Sequence, residues 1–101
     1  DRRQLGEKGV VFSLLVRNAE SRRILTTAEV MAKGLASEQV ELWLLEEAKN
    51  KVQAIVKDYE LQLTTQGVEM DLQETIRIEL RRFFLANLGK KPTVVPIVLD
   101  L

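Results

Sequence analysis

The chemistry open to this sequence is defined first by two side chains it lacks. None of the 101 residues is a histidine or a cysteine. Without imidazole the chain has neither the usual acid–base group at neutral pH nor the commonest metal ligand, which excludes serine triads and histidine-rich metal centres. Without thiols it has no disulfides, thiolate nucleophiles or cysteine zinc sites, a usage that suits a reducing cytoplasm. The carboxylates left for acid–base work are Glu46 and Glu47 and the Asp58/Glu60 pair. They fall on the solvated face of a predicted helix, with no nucleophile or ligand geometry around them. No catalytic, cofactor-binding or metal-binding residue is assigned, and the chain reads as non-enzymatic.

What remains is binding chemistry. Arg77, Arg81, Arg82, Lys90 and Lys91 put five cations within fifteen residues. Such a set could track a phosphate backbone with salt-dependent affinity. The structural alternative is plainer: cations near a helix C-terminus offset its dipole, and Glu74 and Glu79 stand close enough to pair with them. Leu42, Trp43 and Leu45 add apolar surface outside the buried stripe of their helix. Either they pack on the hairpin of the same monomer, or they anchor a partner, since exposed Trp and Leu at one helix end suit an interface.

Both sets need elements to hold them. A chain of this length makes one domain that buries about two-thirds of its unfolded surface. Its 46% apolar content is that of an ordinary globular core. Fifteen basic and fifteen acidic side chains leave no net field, so binding to nucleic acid by bulk charge is excluded and any such contact must be local. With no run of eighteen apolar residues and no basic-then-apolar leader, neither a membrane span nor a signal peptide is expected. No small-molecule substrate is indicated.

Residues 1–8 are polar and read as the end of an interdomain linker; residues 9–101 form the domain. From Gly9 the chain runs Val10-Val11-Phe12-Ser13-Leu14-Leu15-Val16, a strand whose even positions are all apolar and are therefore taken as the core face. Asn18 to Ser21 is a turn cluster, and residues 23–31 return as the second strand of a hairpin, with Ile24, Thr26, Ala28 and Val30 inward. Ser37 is the expected N-cap of a long amphipathic helix, with Glu38 in its first turn. Its stripe is Val40, Leu44, Ala48, Val52, Ile55, Tyr59 and Leu63, ending before Gly67. Asp71 caps a second helix with Glu74 three residues on; Leu72, Ile76, Leu80, Phe83, Phe84 and Leu88 form its stripe and Gly89 its αL end. Residues 93–101 are a β-branched apolar strand, and an end this apolar is expected to be tucked into the core.

The order β-β-α-α-β predicts an α+β domain: a three-stranded β-sheet covered on one face by two α-helices. The first strand takes the middle, and Pro96, lacking an N–H, puts the last strand at an edge or turns that position away from its neighbour. With this phase Val11, Leu15, Leu25, Val94 and Val98 point outward, too many aliphatics for a plain wet face. Val11, Leu15 and Val98 therefore join Leu42, Trp43 and Leu45 as candidate interface residues. Arg77, Arg81, Arg82, Lys90 and Lys91 are the candidate contacts to a nucleic-acid phosphate backbone.

Several segments resemble the C-terminal domain of the ribonuclease J family, bacterial ribonucleases of the β-CASP metallo-β-lactamase type. They are Asp1-Arg2-Arg3-Gln4-Leu5 ahead of Gly9-Val10-Val11, Leu44-Leu45-Glu46-Glu47-Ala48-Lys49, the arginine-bearing residues 77–84, and Gly89-Lys90-Lys91-Pro92-Thr93-Val94-Val95-Pro96-Ile97-Val98. The resemblance covers essentially all 101 residues. Ala32-Lys33-Gly34 stands where the family commonly has Ser-Arg-Gly; Lys33 keeps the charge but not the planar two-pronged geometry, and is not assigned as a site. The resemblance implies a cytoplasmic parent that degrades RNA 5′-to-3′ and also cuts internally, through a two-zinc centre in a metallo-β-lactamase domain. Its zinc ligands would be histidines and aspartates, so the centre lies outside this chain. The chain is then an accessory domain serving oligomer assembly and supporting the catalytic body. Its implied partners are another copy of itself or a paralogous ribonuclease J subunit, and the parent's catalytic domains. No cofactor is expected in this chain.

Overall fold

The structure, a computed structural model, describes residues 9–35 and 38–101, and of 38–40 the backbone alone. The expected linker, the Ser37 cap and the side chains of Glu38 and Val40 lie outside the described residues. Strand β1 (Val10–Arg17) pairs antiparallel with β2 (Glu29–Lys33) and parallel with β3 (Thr93–Asp100), in the sheet order β2-β1-β3. Helices α1 (Glu38–Gln66) and α2 (Leu72–Leu88) come between β2 and β3 and cover one face. The α+β arrangement in the order β-β-α-α-β is the expected one, with β1 central and Pro96 on an edge strand. Parallel pairing requires a crossover, and the two helices are that crossover. The Pro96 carbonyl accepts a hydrogen bond from Gln73 Nε2 of α2 at 3.3 Å.

The helices follow their sequence signals closely. Leu44, Ala48, Val52, Ile55 and Tyr59 of α1 are buried, and Leu63 packs against the same core. At about 1.5 Å per residue its 29 residues reach about 43 Å, which accounts for the domain's 42 Å long axis. In α2 Leu72, Ile76, Leu80, Phe83 and Phe84 are buried. Asp71 accepts from the Glu74 N–H at 3.2 Å, and Gly89 ends the helix at φ 69°, its N–H returning to the Leu85 carbonyl at 2.8 Å. Phe83 and Phe84 meet edge to face at 5.1 Å between centroids.

The strands depart from expectation in three ways. The first is phase. Val11 and Leu15 are 0% exposed and Val94 is buried, whereas Phe12 is solvent-exposed. The odd positions of β1, not the even ones, face the helices. The register carries the inversion across the sheet, because Val11 sits beside Val94 and Leu15 beside Val98. A slip of one residue exchanges the two faces of a strand, and apolar alternation cannot resolve it where both faces are apolar. Ser13 is the residue that misleads: it suggests a polar odd face, yet it is 1% exposed between Val30 and Pro96. Of the five aliphatics expected to point outward, only Leu25 does.

The second departure is the hairpin return. Only Glu29–Lys33 pairs regularly, and Ile24 makes an isolated bridge to Arg17. Arg22, Arg23 and Ile24 are drawn instead to α1. The Tyr59 hydroxyl donates to the Arg22 carbonyl at 2.5 Å, and the Glu60 carboxylate accepts from Arg23 Nε and the Ile24 N–H at 2.9 and 3.1 Å. Arg22 takes φ 65°, a left-handed conformation held by those bonds. Ala28 is buried and Ile24 and Val30 pack on the core as expected, while Thr26 is exposed. The third departure is the C-terminus: Leu99 is 50% and Leu101 77% exposed, so the apolar end is not tucked in. Backbone bonds between Leu101 and Arg17 and between Ala19 and Leu101, both 2.8 Å, hold it at the sheet's end.

Candidate interaction surfaces

The helical layer seals one face of the sheet and leaves the other open. On the open side Phe12 lies between Met31 of β2 and Val95 of β3, Leu14 lies beside Ile97, and Val16 beside Leu99. These are cross-strand neighbours on one face, so they form a continuous apolar surface. Met31 is 56% exposed, and Phe12 and Ile97 stand open by more than a third. On β2, Met31 is flanked by exposed Glu29 on one side and exposed Lys33 on the other.

The sequence foresaw an apolar outer face but assigned it the wrong residues. Val11 and Leu15 are core residues with no exposed surface, and Val98 packs half-buried against that core, so the three lie on the helix-covered face and not on the open one. Leu42 and Trp43 are well exposed on α1, in the helical layer, and Leu45 is half-buried beside them. None of the three is part of the open sheet face, since all lie on the helix. The residues missed were Phe12, Leu14, Val16, Met31, Val95, Ile97 and Leu99; the signal for them was that both faces of β1 and β3 are rich in large aliphatics.

A second surface lies on α2. Arg77, Ile78, Arg81, Arg82 and Leu85 recur along one stripe of the helix and, with Lys91 beyond its end, line an open groove of about 260 Å³. Four of the five cations singled out in the sequence meet here; Lys90 is exposed nearby but does not line the groove. Two of the expected carboxylate pairs are present. Glu74 holds Arg77 through bonds of 2.6 and 3.0 Å, and Glu79 approaches Arg82 at 3.5 Å. The Arg77 guanidinium holds the Glu74 carboxyl below its usual range. Arg81 and Lys91 have no ion-pair partner among the described residues. Dipole compensation does not account for the arginines, since the last turn of α2 carries no basic residue and the effect fades within one turn.

The remaining polar cluster closes one end of the sheet. Arg17 and Asp100 are register partners and join by bonds of 2.6 and 3.1 Å, and Arg22 grips Glu69 at 2.7 and 3.3 Å. Asp100 is held below the usual carboxylate range by its hydrogen bond to Arg17, and Glu69 by its bond to Arg22. The same bond to Asp100 raises Arg17 further above the usual arginine range. With each charge answered, the cluster is a clasp between the β1 end, the hairpin turn and the α1–α2 connection.

Among the described residues no group of three or more acidic, histidine or cysteine side chains could hold a metal. A two-zinc centre built on histidine does not fit this chain, which contains none. Among the described residues no helix is long and apolar enough to cross a membrane.

A family model described as the ribonuclease J C-terminal domain matches residues 1–101. The chain belongs to that family. A ribonuclease J 2 of Staphylococcus saprophyticus is 26% identical over the whole of this chain, and counterparts in Staphylococcus aureus and Staphylococcus epidermidis are 24% and 22% identical. The chain spans 18% of the length of these curated relatives. The fold described above is thus that of one ribonuclease J C-terminal domain: a three-stranded sheet, helices on one side only, an open apolar face on the other.

Proposed function

We propose that this domain is the non-catalytic C-terminal accessory part of a ribonuclease J-type, RNA-degrading enzyme of the cytoplasm, and that its open sheet face joins it to a second copy of itself. The family supplies the context, and the relatives bearing the ribonuclease name are more than five times as long as this chain. A chain without histidine supplies no histidine ligand, so a histidine-built zinc centre belongs to the remainder of the parent protein. The observation that carries the proposal is the solvent-facing run of Phe12, Leu14, Val16, Met31, Val95, Ile97 and Leu99 on a sheet whose other side is sealed.

The charges bordering that face favour a second copy. An isologous pair is related by a two-fold axis. An axis lying between two such faces, across the strands at the level of Met31, sets Glu29 of each copy against Lys33 of the other. Three strands of up to eight residues present a face of about 14 by 27 Å, about half the standard area per partner, so association should be weak and transient, with dissociation at high micromolar concentration. Sedimentation velocity of the 101-residue chain across the micromolar range tests this. A mass that rises with concentration, and collapses to that of the monomer in Met31→Glu, is the expected result. A strict monomer, or a dimer indifferent to Met31→Glu but dissociated by Trp43→Ala, would refute the sheet-face interface.

A further inference from the structure

From the groove on α2 we infer that the domain has a second binding surface, one that takes the phosphodiester backbone of single-stranded RNA. Arg77, Arg81, Arg82 and Lys91 supply four cations to the groove's lining, against the partial claims of Glu74 on Arg77 and Glu79 on Arg82. Arg81 and Lys91 have no counter-ion among the described residues, and Arg82, 74% exposed, meets Glu79 only at 3.5 Å. A chain with zero net charge therefore carries a local excess of positive charge in one groove.

The geometry suits a strand rather than a single ion. Arg77 and Arg81 are one helical step apart, about 6 Å along the axis, and Lys91, from beyond the helix end, lines the same groove. Ile78 and Leu85 also line the groove and give it apolar surface on which a ribose or base edge can lie. No aromatic side chain lines it, so base stacking contributes little and binding rests on phosphate contacts. Affinity should then be weak, strongly salt-dependent and indifferent to base identity. The choice of RNA over other polyanions rests on reading the chain as part of a ribonuclease J-type protein. The groove and the open sheet face lie on different elements, so one surface can be occupied without the other.

The test is fluorescence anisotropy of the 101-residue chain with labelled oligouridylate and oligoadenylate of about twelve nucleotides. For single strands the salt slope is about −0.7 per phosphate contact, so four contacts predict about a 50-fold loss of affinity from about 50 to about 200 mM salt. Arg81→Gln combined with Lys91→Gln leaves two contacts and predicts only about a sevenfold loss over the same range. Lys57→Gln, exposed on α1, should behave as the parent chain does. All three changes are at solvent-exposed positions, and circular dichroism confirms folding before titration. Equal binding of the two oligonucleotides with these slopes supports the proposal. No binding at low salt, an unchanged slope in the double variant, or displacement by polyglutamate as effective as by RNA would overturn it. Because sedimentation reads association through the sheet face separately, the two proposals fail independently.

Discussion

Leu15→Ala and Phe12→Ser, made separately, ask which face of β1 is the core. Leu15 is 0% exposed at the middle of the central strand, beside Val98 and under the helices. Truncating a buried leucine to alanine costs about 2–5 kcal/mol through lost transfer free energy and the cavity left behind. A domain of this size holds only about 5–15 kcal/mol in total, so a loss of about 3 kcal/mol is a large share and lowers the melting temperature by about 12–24 °C. Phe12, on the open face, loses mainly its cross-strand contacts with Met31 and Val95, worth about 1 kcal/mol together in a monomer. Its effect should grow with protein concentration, because what it chiefly gives up is surface shared with a second copy. Urea and thermal unfolding followed by circular dichroism, at two protein concentrations, separate these outcomes. If Leu15→Ala costs under about 1 kcal/mol while Phe12→Ser unfolds the domain, the strand sits in the opposite phase and the open-face argument fails with it.

Three further measurements follow from the same structure. Tyr59→Phe removes the hydroxyl that donates to the Arg22 carbonyl and leaves that acceptor part-buried and unpaired, so it should cost about 1–3 kcal/mol by urea unfolding; no change would show that the turn is held by its ion pairs alone. Asp100, Glu69 and Glu74 are all held below the ordinary carboxylate values of 3.8 and 4.5, so their stabilisation is complete above those values and is lost as pH falls through the lower native ones. The melting temperature should therefore drop on acidification below about pH 4.5, more gently in Asp100→Asn; an acid limb unaltered by that variant would remove Asp100 from the account. Gly9→Ala should be much worse than Gly89→Ala: both have positive φ, but a Cβ at Gly9 would lie 2.8 Å from the Gly34 and Lys33 carbonyl oxygens, while one at Gly89 meets nothing. Gly89→Ala then costs only its conformational strain, about 1–2 kcal/mol, and an equal loss in the two variants would contradict the close approach.

By itself the sequence determined the local elements, because their signals are local. Asp71 and Gly89 delimit α2 through groups the backbone must satisfy within one turn, and the three- and four-residue spacing from Leu44 to Tyr59 allows a helix only one buried side. It also gave the element order and the one-sided helical cover, and through Pro96, which has no N–H, it narrowed β3 to an edge or to a strand with that position turned from its neighbour; the sheet pairing chose the edge. The presence of an apolar outer sheet face was legible for a similar reason: two helices can cover only one side of a sheet with aliphatics on both. Which residues form that face was decided by tertiary structure alone. Strand alternation has a period of two, so the choice turns on one residue of register, and Ser13 pointed the wrong way until the helices buried it. The groove on α2 likewise needed Lys91, beyond the helix, to be brought to the groove that Arg81 lines by the chain's turn into β3. Spacing in sequence can propose that cations share a surface; only the packing of one element against another places them in the same groove.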